Sequence, residues 1–360
     1  MKNKKKDVRL FVYPAHCDGK HVPGVDYVRV IRPMEELKKT GEFKVTIFDG
    51  KKMDWRKVAK EYDVLYLNYI TNAWGYVMMA SQMDLNKKKI VYDLDDLIWR
   101  IQEDNAAYSV YAPGSDGRAT ITDIIARGCD YVTCTSQYLK HGIMEYTGKD
   151  PNKIKVLPNY IDLDLYKWTK EPVDNHEITI GYFGSSSHFN DLVNPGFING
   201  LEKLMRENPR VKFYTIGAMI QSLKKKFSAR YSTAYGDHDI YKWVKLMPLL
   251  LSEVDIFVAP LMDTTYARAK SGIKFLEYSS TKIPGCYQDI RQYQELVKHR
   301  ENGYLCATTN DWYQSLKELC DSVEVRKRIG EAAYQTVKKD WTIQGNVQKY
   351  ADFFKSIDAQ

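Results

Sequence analysis

The chain has 360 residues, of which 44% are apolar and 28% charged, and carries a formal net charge of +7. This length predicts two globular domains with sizeable cores, and the composition excludes a disordered or low-complexity chain. The mild basic excess suits phosphates, anionic polymers or membrane headgroups without selecting among them.

In chain order, short β-branched and aromatic runs predict strands at Val8–Tyr13, Val45–Phe48, Val64–Asn68, Ile90–Tyr92, Tyr131–Cys134 and Ile154–Leu157. Amphipathic stretches between them, such as Tyr27–Lys39 and Ser136–Tyr146, predict crossover helices. The rhythm pauses over Asn159–His176, an aperiodic segment expected to be a linker. It resumes with strands at Ile178–Phe183, Val211–Ile216, Asp255–Ala259, Gly285–Tyr287 and Tyr304–Cys306. Helices are expected near Leu192–Glu207, Ile240–Leu251, Gly272–Ser280, Trp312–Leu319, Val323–Lys338 and Ile343–Ile357. The fold class is therefore α/β, with two Rossmann-like, doubly wound parallel-sheet domains facing across a cleft. Residues 1–172 are expected to form the first domain and 173–340 the second. Ligands in such sheets sit at the carboxyl ends of the strands, so the cleft is the expected site.

Six cysteines, Cys17, Cys129, Cys134, Cys286, Cys306 and Cys320, show no C-x-x-C spacing, and no histidine pair stands at ligand spacing. They read as free, mostly buried thiols in a reducing compartment. The apolar run Val8–Val12 is too short for a secretion signal, and no stretch is long enough to span a bilayer. A cytoplasmic protein without an integral membrane segment is expected; its oligomeric state is not legible.

Three segments carry polar groups placed for chemistry. Tyr266–Pro284 follows a buried strand and contains Lys270, Ser271, Gly272, Lys274 and Glu277. At ~100° per residue, Lys270, Lys274 and Glu277 would share one helix face. Two lysines at a helix start suit a diphosphate, and Glu277 is placed to take ribose hydroxyls. The alternative is a surface helix with a Lys274–Glu277 ion pair. The turn Gly184-Ser185-Ser186-Ser187-His188 after a strand can form an anion nest, or be an ordinary strand-to-helix turn. In the first half, Gly24 and Arg29 lie in the loop and helix after the first strand, where Arg29 either faces an anion or serves packing. Asp93-x-Asp95-Asp96 follows another strand. Its readings are a metal site, a helix cap, or a cleft role for Asp95 or Asp96 in orienting a hydroxyl.

The segment Asp255–Pro284 resembles the donor-binding stretch of GT-B glycosyltransferases, specifically the retaining family-4 (group 1) type in a phage- and bacterial-like variant. Glu277 matches the second glutamate of that family's E-x7-E motif, which holds the donor ribose. Ala269 stands where the first glutamate is expected, and of the following Gly-x-Pro only Pro284 is kept. Tyr293 to Leu305, with Asn302-Gly303, and Val323 to Thr342 resemble the family's later elements. The resemblance implies a hexosyltransferase that uses a nucleotide-sugar, a UDP-sugar by preference, and retains configuration. No cofactor or metal is then required. It assigns the leaving diphosphate to Lys270, Lys274 and His188, with Gly184, Ser185, Ser186, Ser271, Gly272 and Glu277 holding the donor. Gly24, Arg29, Asp95 and Asp96 fall on the acceptor side. The last helix, in residues 341–360, would cross back to the first domain. The acceptor is a glycan, a lipid-linked sugar or a nucleic acid such as a modified DNA base. A non-catalytic nucleotide-sugar-binding module is the alternative, motivated by Ala269.

Overall fold

Two six-stranded, all-parallel sheets organise the chain in this computed structural model, which describes residues 8–14, 16, 20–50, 53–84, 87–174, 177–184, 189–236 and 239–358. The first sheet contains β1 (Val8–Tyr13), β2 (Phe43–Ile47), β3 (Val64–Asn68), β4 (Lys89–Leu94), β5 (Tyr131–Cys134) and β6 (Ile154–Val156), in the order β2-β1-β3-β4-β5-β6. The second contains β7 (Ile178–Phe183), β8 (Val211–Ile216), β9 (Tyr231–Ala234), β10 (Ile256–Ala259), β11 (Gly285–Gln288) and β12 (Tyr304–Cys306), in the order β12-β11-β10-β7-β8-β9. Central strands such as Val64–Asn68 and Ile256–Ala259 are buried at every residue. That is why they read as continuous apolar runs rather than alternating ones: helices cover both faces.

The winding reverses between β1 and β3 in one sheet and between β7 and β10 in the other. At such a reversal the crossover helices leave to opposite faces and open a crevice at the carboxyl ends. His16 and Tyr69 follow the ends of β1 and β3, while Gly184 and Leu261 follow β7 and β10. All four line one cleft. The α/β, two-sheet GT-B expectation therefore holds.

The aperiodic segment after β6 is pinned rather than loose. Ile161 donates its N–H to the Trp341 carbonyl at 2.9 Å, and its own carbonyl accepts from Ile343 at 3.0 Å. Asp162 accepts from the Tyr27 hydroxyl at 3.0 Å and from Arg32 Nε at 2.5 Å. The segment lacks a period because its groups bridge elements instead of repeating along one. Helix Ile343–Asp358 packs Tyr350, Phe353, Phe354 and Ile357 against Val30, Met34 and Leu37 beside the first sheet. The stretch expected as one helix from Tyr27 is π-helical over Tyr27–Ile31 and α-helical over Arg32–Lys39. Strand β9 was not legible: Tyr231-Ser-Thr-Ala is short, half polar and lies at a sheet edge. The five described cysteines are free and buried, as expected; Cys17 lies outside the described residues.

One buried charge knot ties the first sheet to the chain that leaves it. Arg29 is fully buried and forms a two-pronged pair with the equally buried Asp93. Its Nη1 also donates to the Leu157 carbonyl at 2.7 Å and to Asn159 Oδ1 at 3.0 Å. Asp93 further accepts from the hydroxyls of Tyr66 and Thr133 and from Asn68 Nδ2. The two side chains thus satisfy each other's charge in a place water does not reach. Replacing Arg29 with Leu strands Asp93 as an uncompensated buried carboxylate. Urea unfolding should show a loss of about 3–5 kcal/mol. A loss under about 1 kcal/mol would contradict the structural role given to this pair.

Candidate active site in the interdomain cleft

The cleft between the two sheets has a volume of about 770 Å³. That is enough for a ligand with a base, a ribose, a diphosphate and a sugar. Its two walls differ in charge. The C-terminal wall presents Lys270, Lys274 and Glu277; the N-terminal wall presents His16, Asp95, Asp96, Tyr69 and Tyr111.

The C-terminal wall is built by two short helices, Thr265–Ala269 and Ile273–Ser279, joined through Lys270, Ser271 and Gly272. This corrects the expectation of one helix opening near Ser271 with Lys270 on its face. Lys270 is extended, with φ −62° and ψ 159°, and ends the first helix. The break has physical causes. A Cβ at Gly272 would lie 2.3 Å from Leu296 Cδ1 and 2.9 Å from the Gln292 carbonyl, so only glycine lets the chain pass. Ser271 Oγ accepts from Asn159 Nδ2 at 2.7 Å, and Arg291 donates to the carbonyls of Arg268 and Lys270. Gly272 is therefore buried under Leu296 and is absent from the wall of the main cleft, where the donor-binding expectation put it.

Lys274 and Glu277 stay on one helix, a turn apart, and their charges act on each other through space without a direct ion pair among the described residues. Lys274 Nζ donates to the Phe183 carbonyl at 2.7 Å, beside Gly184. The strand end after β7 and this lysine thus meet, although 91 residues separate them in sequence. Burial lowers the Lys274 pKa and raises that of Glu277. Both groups are desolvated more than a surface helix would allow. Glu277 Oε1 accepts only a long 3.4 Å contact from the buried Tyr166 hydroxyl. Lys270 Nζ lies 4.9 Å from the centre of the Tyr266 ring and has no carboxylate partner among the described ion pairs. Ser185, Ser186 and His188 lie outside the described residues, so only Gly184 of the expected anion nest has a place here.

On the N-terminal wall, Gly24 borders the cleft with open space above its Cα. Arg29 reaches the cleft's edge, yet its guanidinium is turned to Asp93, Leu157 and Asn159. This corrects the reading of Arg29 as an anion-binding group and favours its packing alternative. The same pairing commits Asp93 to Arg29, so the Asp-x-Asp string does not present its first carboxylate to a metal. Among the described residues no group of three His, Cys, Asp or Glu side chains is arranged around a cation. Asp95 and Asp96 do line the cleft. Asp95 accepts from the Tyr69 hydroxyl at 2.7 Å, and Asp96 accepts from the Tyr266 hydroxyl at 2.8 Å. The second bond crosses between the two halves.

Several residues of the cleft were not singled out by the sequence. Tyr266, Asn159 and Tyr166 each link the first half, or the chain leaving it, to the segment that carries Lys270 and Glu277. Their partners lie more than a hundred residues away in sequence, and no local period marks them. Ala269 is fully buried and packs into the core cluster of the first half. The position where the resemblance expects a glutamate is thus an interdomain contact. Lys282, where the family keeps glycine, has φ +63°, the left-handed backbone that glycine takes most readily.

Residues 177–322 match the family model described as Glycosyl transferases group 1. No curated relative matches the chain. Among solved structures, HepE of Anabaena in complex with UDP and glucose is 15% identical with a TM-score of 0.65, covering 98% of this chain and 100% of that one. Sucrose-phosphate synthase of Thermosynechococcus elongatus is 12% identical, with a TM-score of 0.66 and coverage of 98% and 99%. A glycosyltransferase of Rickettsia africae is 14% identical, with a TM-score of 0.64 and the same coverage. HepE is also known in complex with UDP-glucose. The expected resemblance to group 1 glycosyltransferases stands for residues 177–322, and the solved structures share the expected two-sheet GT-B fold over nearly the whole chain.

Burial pushes the Asp95 carboxyl up to about 6, and the charge of Asp96 beside it adds to the shift. An unfolded aspartate titrates near about 3.9. The folded state therefore binds this proton more tightly than the unfolded one. Ionising Asp95 costs stability, and the cost is absent below the unfolded value and complete above the folded one. Asp95→Asn should melt a few degrees higher than the parent at about pH 8, and the gap should close at about pH 4. A lower melting point at the higher pH would contradict this placement.

Proposed function

We propose that the protein transfers a hexose from a nucleotide-sugar, a UDP-sugar by preference, to an acceptor hydroxyl in this cleft. The observation that carries this reading is the meeting of Lys270, Lys274 and Gly184 with Glu277 on one wall of a cleft large enough for the donor. In sugar transfer the bond from C1 to the phosphate oxygen breaks and negative charge grows on the leaving diphosphate. The lysines are the groups to hold that charge, and a partly desolvated site strengthens their effect. The Ile273–Ser279 helix is only seven residues long, so its dipole is a minor contribution beside two formal charges. Glu277 has an oxygen left for the ribose hydroxyls. UDP and UDP-glucose bound to HepE, a protein of the same fold, support the choice of donor.

The transfer proceeds without a metal. Resemblance to the retaining enzymes supports attack from the face that the phosphate leaves. The new C1–oxygen bond forms there as the old one breaks, and the acceptor's proton passes to the leaving phosphate. No carboxylate base is then needed. Ser185, Ser186 and His188 would complete the diphosphate seat from the turn after β7. Acceptor classes for such an enzyme are a glycan, a lipid-linked sugar or a modified DNA base. A binding module without turnover is the second reading, and Ala269 in place of a glutamate is its motive. Residues 1–172 serve the acceptor, 173–340 the donor, and the last helix braces the two. The protein acts in the cytoplasm.

Calorimetry with UDP tests the site. Glu277→Ala and Lys270→Ala should each weaken UDP by about tenfold or more while circular dichroism stays unchanged. Unchanged affinity in both variants would remove the seat from this segment. Chelation by EDTA should leave UDP affinity and transfer intact, and loss of either would show that a metal takes part. Slow hydrolysis of a UDP-sugar by the purified protein would dispose of the non-catalytic reading.

A further inference from the structure

The turn that carries Lys270 stands between two cavities. Lys270 and Ser271 line the main cleft and also a smaller cavity of about 60 Å³. That cavity is shared with the first half: Thr135 and Ser136, at the start of helix Gln137–Thr147, line it. Two of its lining groups, Thr135 Oγ1 and Gln292 Oε1, are buried without a hydrogen-bond partner among the described residues. A buried polar atom left unpaired costs free energy, so a donor that reaches either one is held there. The Lys270 ammonium is such a donor. It rests 4.9 Å from the centre of the Tyr266 ring, and no described ion pair ties it to the cleft side.

The grips that keep the turn in place come from behind it. Arg291 Nε donates to the Arg268 carbonyl at 2.7 Å, and Nη2 donates to the Lys270 carbonyl at 3.2 Å. The helix Thr265–Ala269 has only five residues, so its last carbonyls have no following turn to bond. Arg291 supplies that missing partner. Its guanidinium also lies 5.5 Å from the centre of the Tyr138 ring, on helix Gln137–Thr147 of the first half. The second grip is Asn159, whose Nδ2 donates to Ser271 Oγ at 2.7 Å while its Oδ1 accepts from Arg29 at 3.0 Å. Both grips therefore refer the turn to the first half. Arg291 lines the smaller cavity and not the main cleft, so it stands behind the lysine wall rather than in it.

We propose that Arg291 and Asn159 are positioning residues for Lys270: they fix the turn so that its ammonium serves the cleft and not the cavity behind, and so set the affinity for the donor's diphosphate. This rests on the donor reading above and adds to it two residues that act through Lys270. Released from either grip, the turn settles toward Thr135 and Gln292, and the charge withdraws from the phosphates. Attraction between charges falls with distance, and a partly desolvated site makes that fall steeper in energy. The loss has a ceiling, because misplacing Lys270 removes no more than deleting its charge.

The test is a thermodynamic cycle on the full chain, with UDP affinity read by calorimetry. Arg291→Met keeps the aliphatic stem and loses every donor. It should weaken UDP by about threefold or more, but by no more than Lys270→Ala does. Asn159→Ala should act in the same direction and under the same ceiling. In the Lys270→Ala background each substitution should change UDP affinity by less than about twofold, because the charge they position is gone. Arg291→Lys, which keeps a donor for one of the two carbonyls, should recover part of the loss. Melting curves and circular dichroism establish that each variant is folded, and either variant decides alone if the other does not fold. Unchanged UDP affinity in the folded variants overturns the proposal. So does an equal loss with and without Lys270, the signature of a direct contact or of general damage. If the parent does not bind UDP, or Lys270→Ala binds it as tightly as the parent, the donor reading falls and this inference with it.

Discussion

A fully buried arginine keeps its charge, so everything around Arg29 has to arrange itself to meet that charge. Asp93 comes from the end of β4, the Leu157 carbonyl from the end of β6, and Asn159 from the chain that leaves the sheet. Asn159 is gripped through its Oδ1 by Arg29 and uses its Nδ2 to hold Ser271 in the donor segment. The break between helices Thr265–Ala269 and Ile273–Ser279 is thereby referenced to the core of the other half. Loss of the charge pair would loosen both the first sheet and the register of Lys270 against the cleft.

The two halves meet through several such contacts. Tyr266 reaches Asp96, Tyr166 reaches Glu277, and Val22 and Pro23 engage Asp239 and Ile240. A shared apolar cluster, containing Tyr27, Ile161 and Tyr166 from one side and Phe257, Tyr287 and Trp243 from the other, fills the space beneath. The two walls of the cleft are consequently held in one frame. Lys270 and Lys274 stand with Glu277 on one wall, and Asp95 and Asp96 on the other.

Much of this architecture was legible in the sequence because it rests on local patterns. Largely buried strands such as Val64–Asn68 and Ile178–Phe183 are short runs bounded by turns, and their limits were read as they stand. Helix Ile240–Leu251 was equally plain, since an Asp239 cap precedes a periodic run. The donor segment was legible as a cluster of residue types, although its geometry was not. The extended turn at Lys270 depends on Leu296 and Asn159, which no window around Lys270 contains. Arg29 remained ambiguous for the same reason, since its partners lie 64 to 130 residues away. His16 needed Asp26 to become more than a polar loop residue, and two residues ten apart in a loop and a helix carry no periodic signal.

The central claim is that the donor's diphosphate and ribose sit on the segment that runs from Tyr266 to Pro284. A crystal structure of the protein soaked with UDP-glucose addresses it most directly. The account predicts the diphosphate within hydrogen-bond reach of Lys270 and Lys274, with the ribose hydroxyls on Glu277. Density for the nucleotide against the N-terminal wall, or anywhere away from these two lysines, would contradict it.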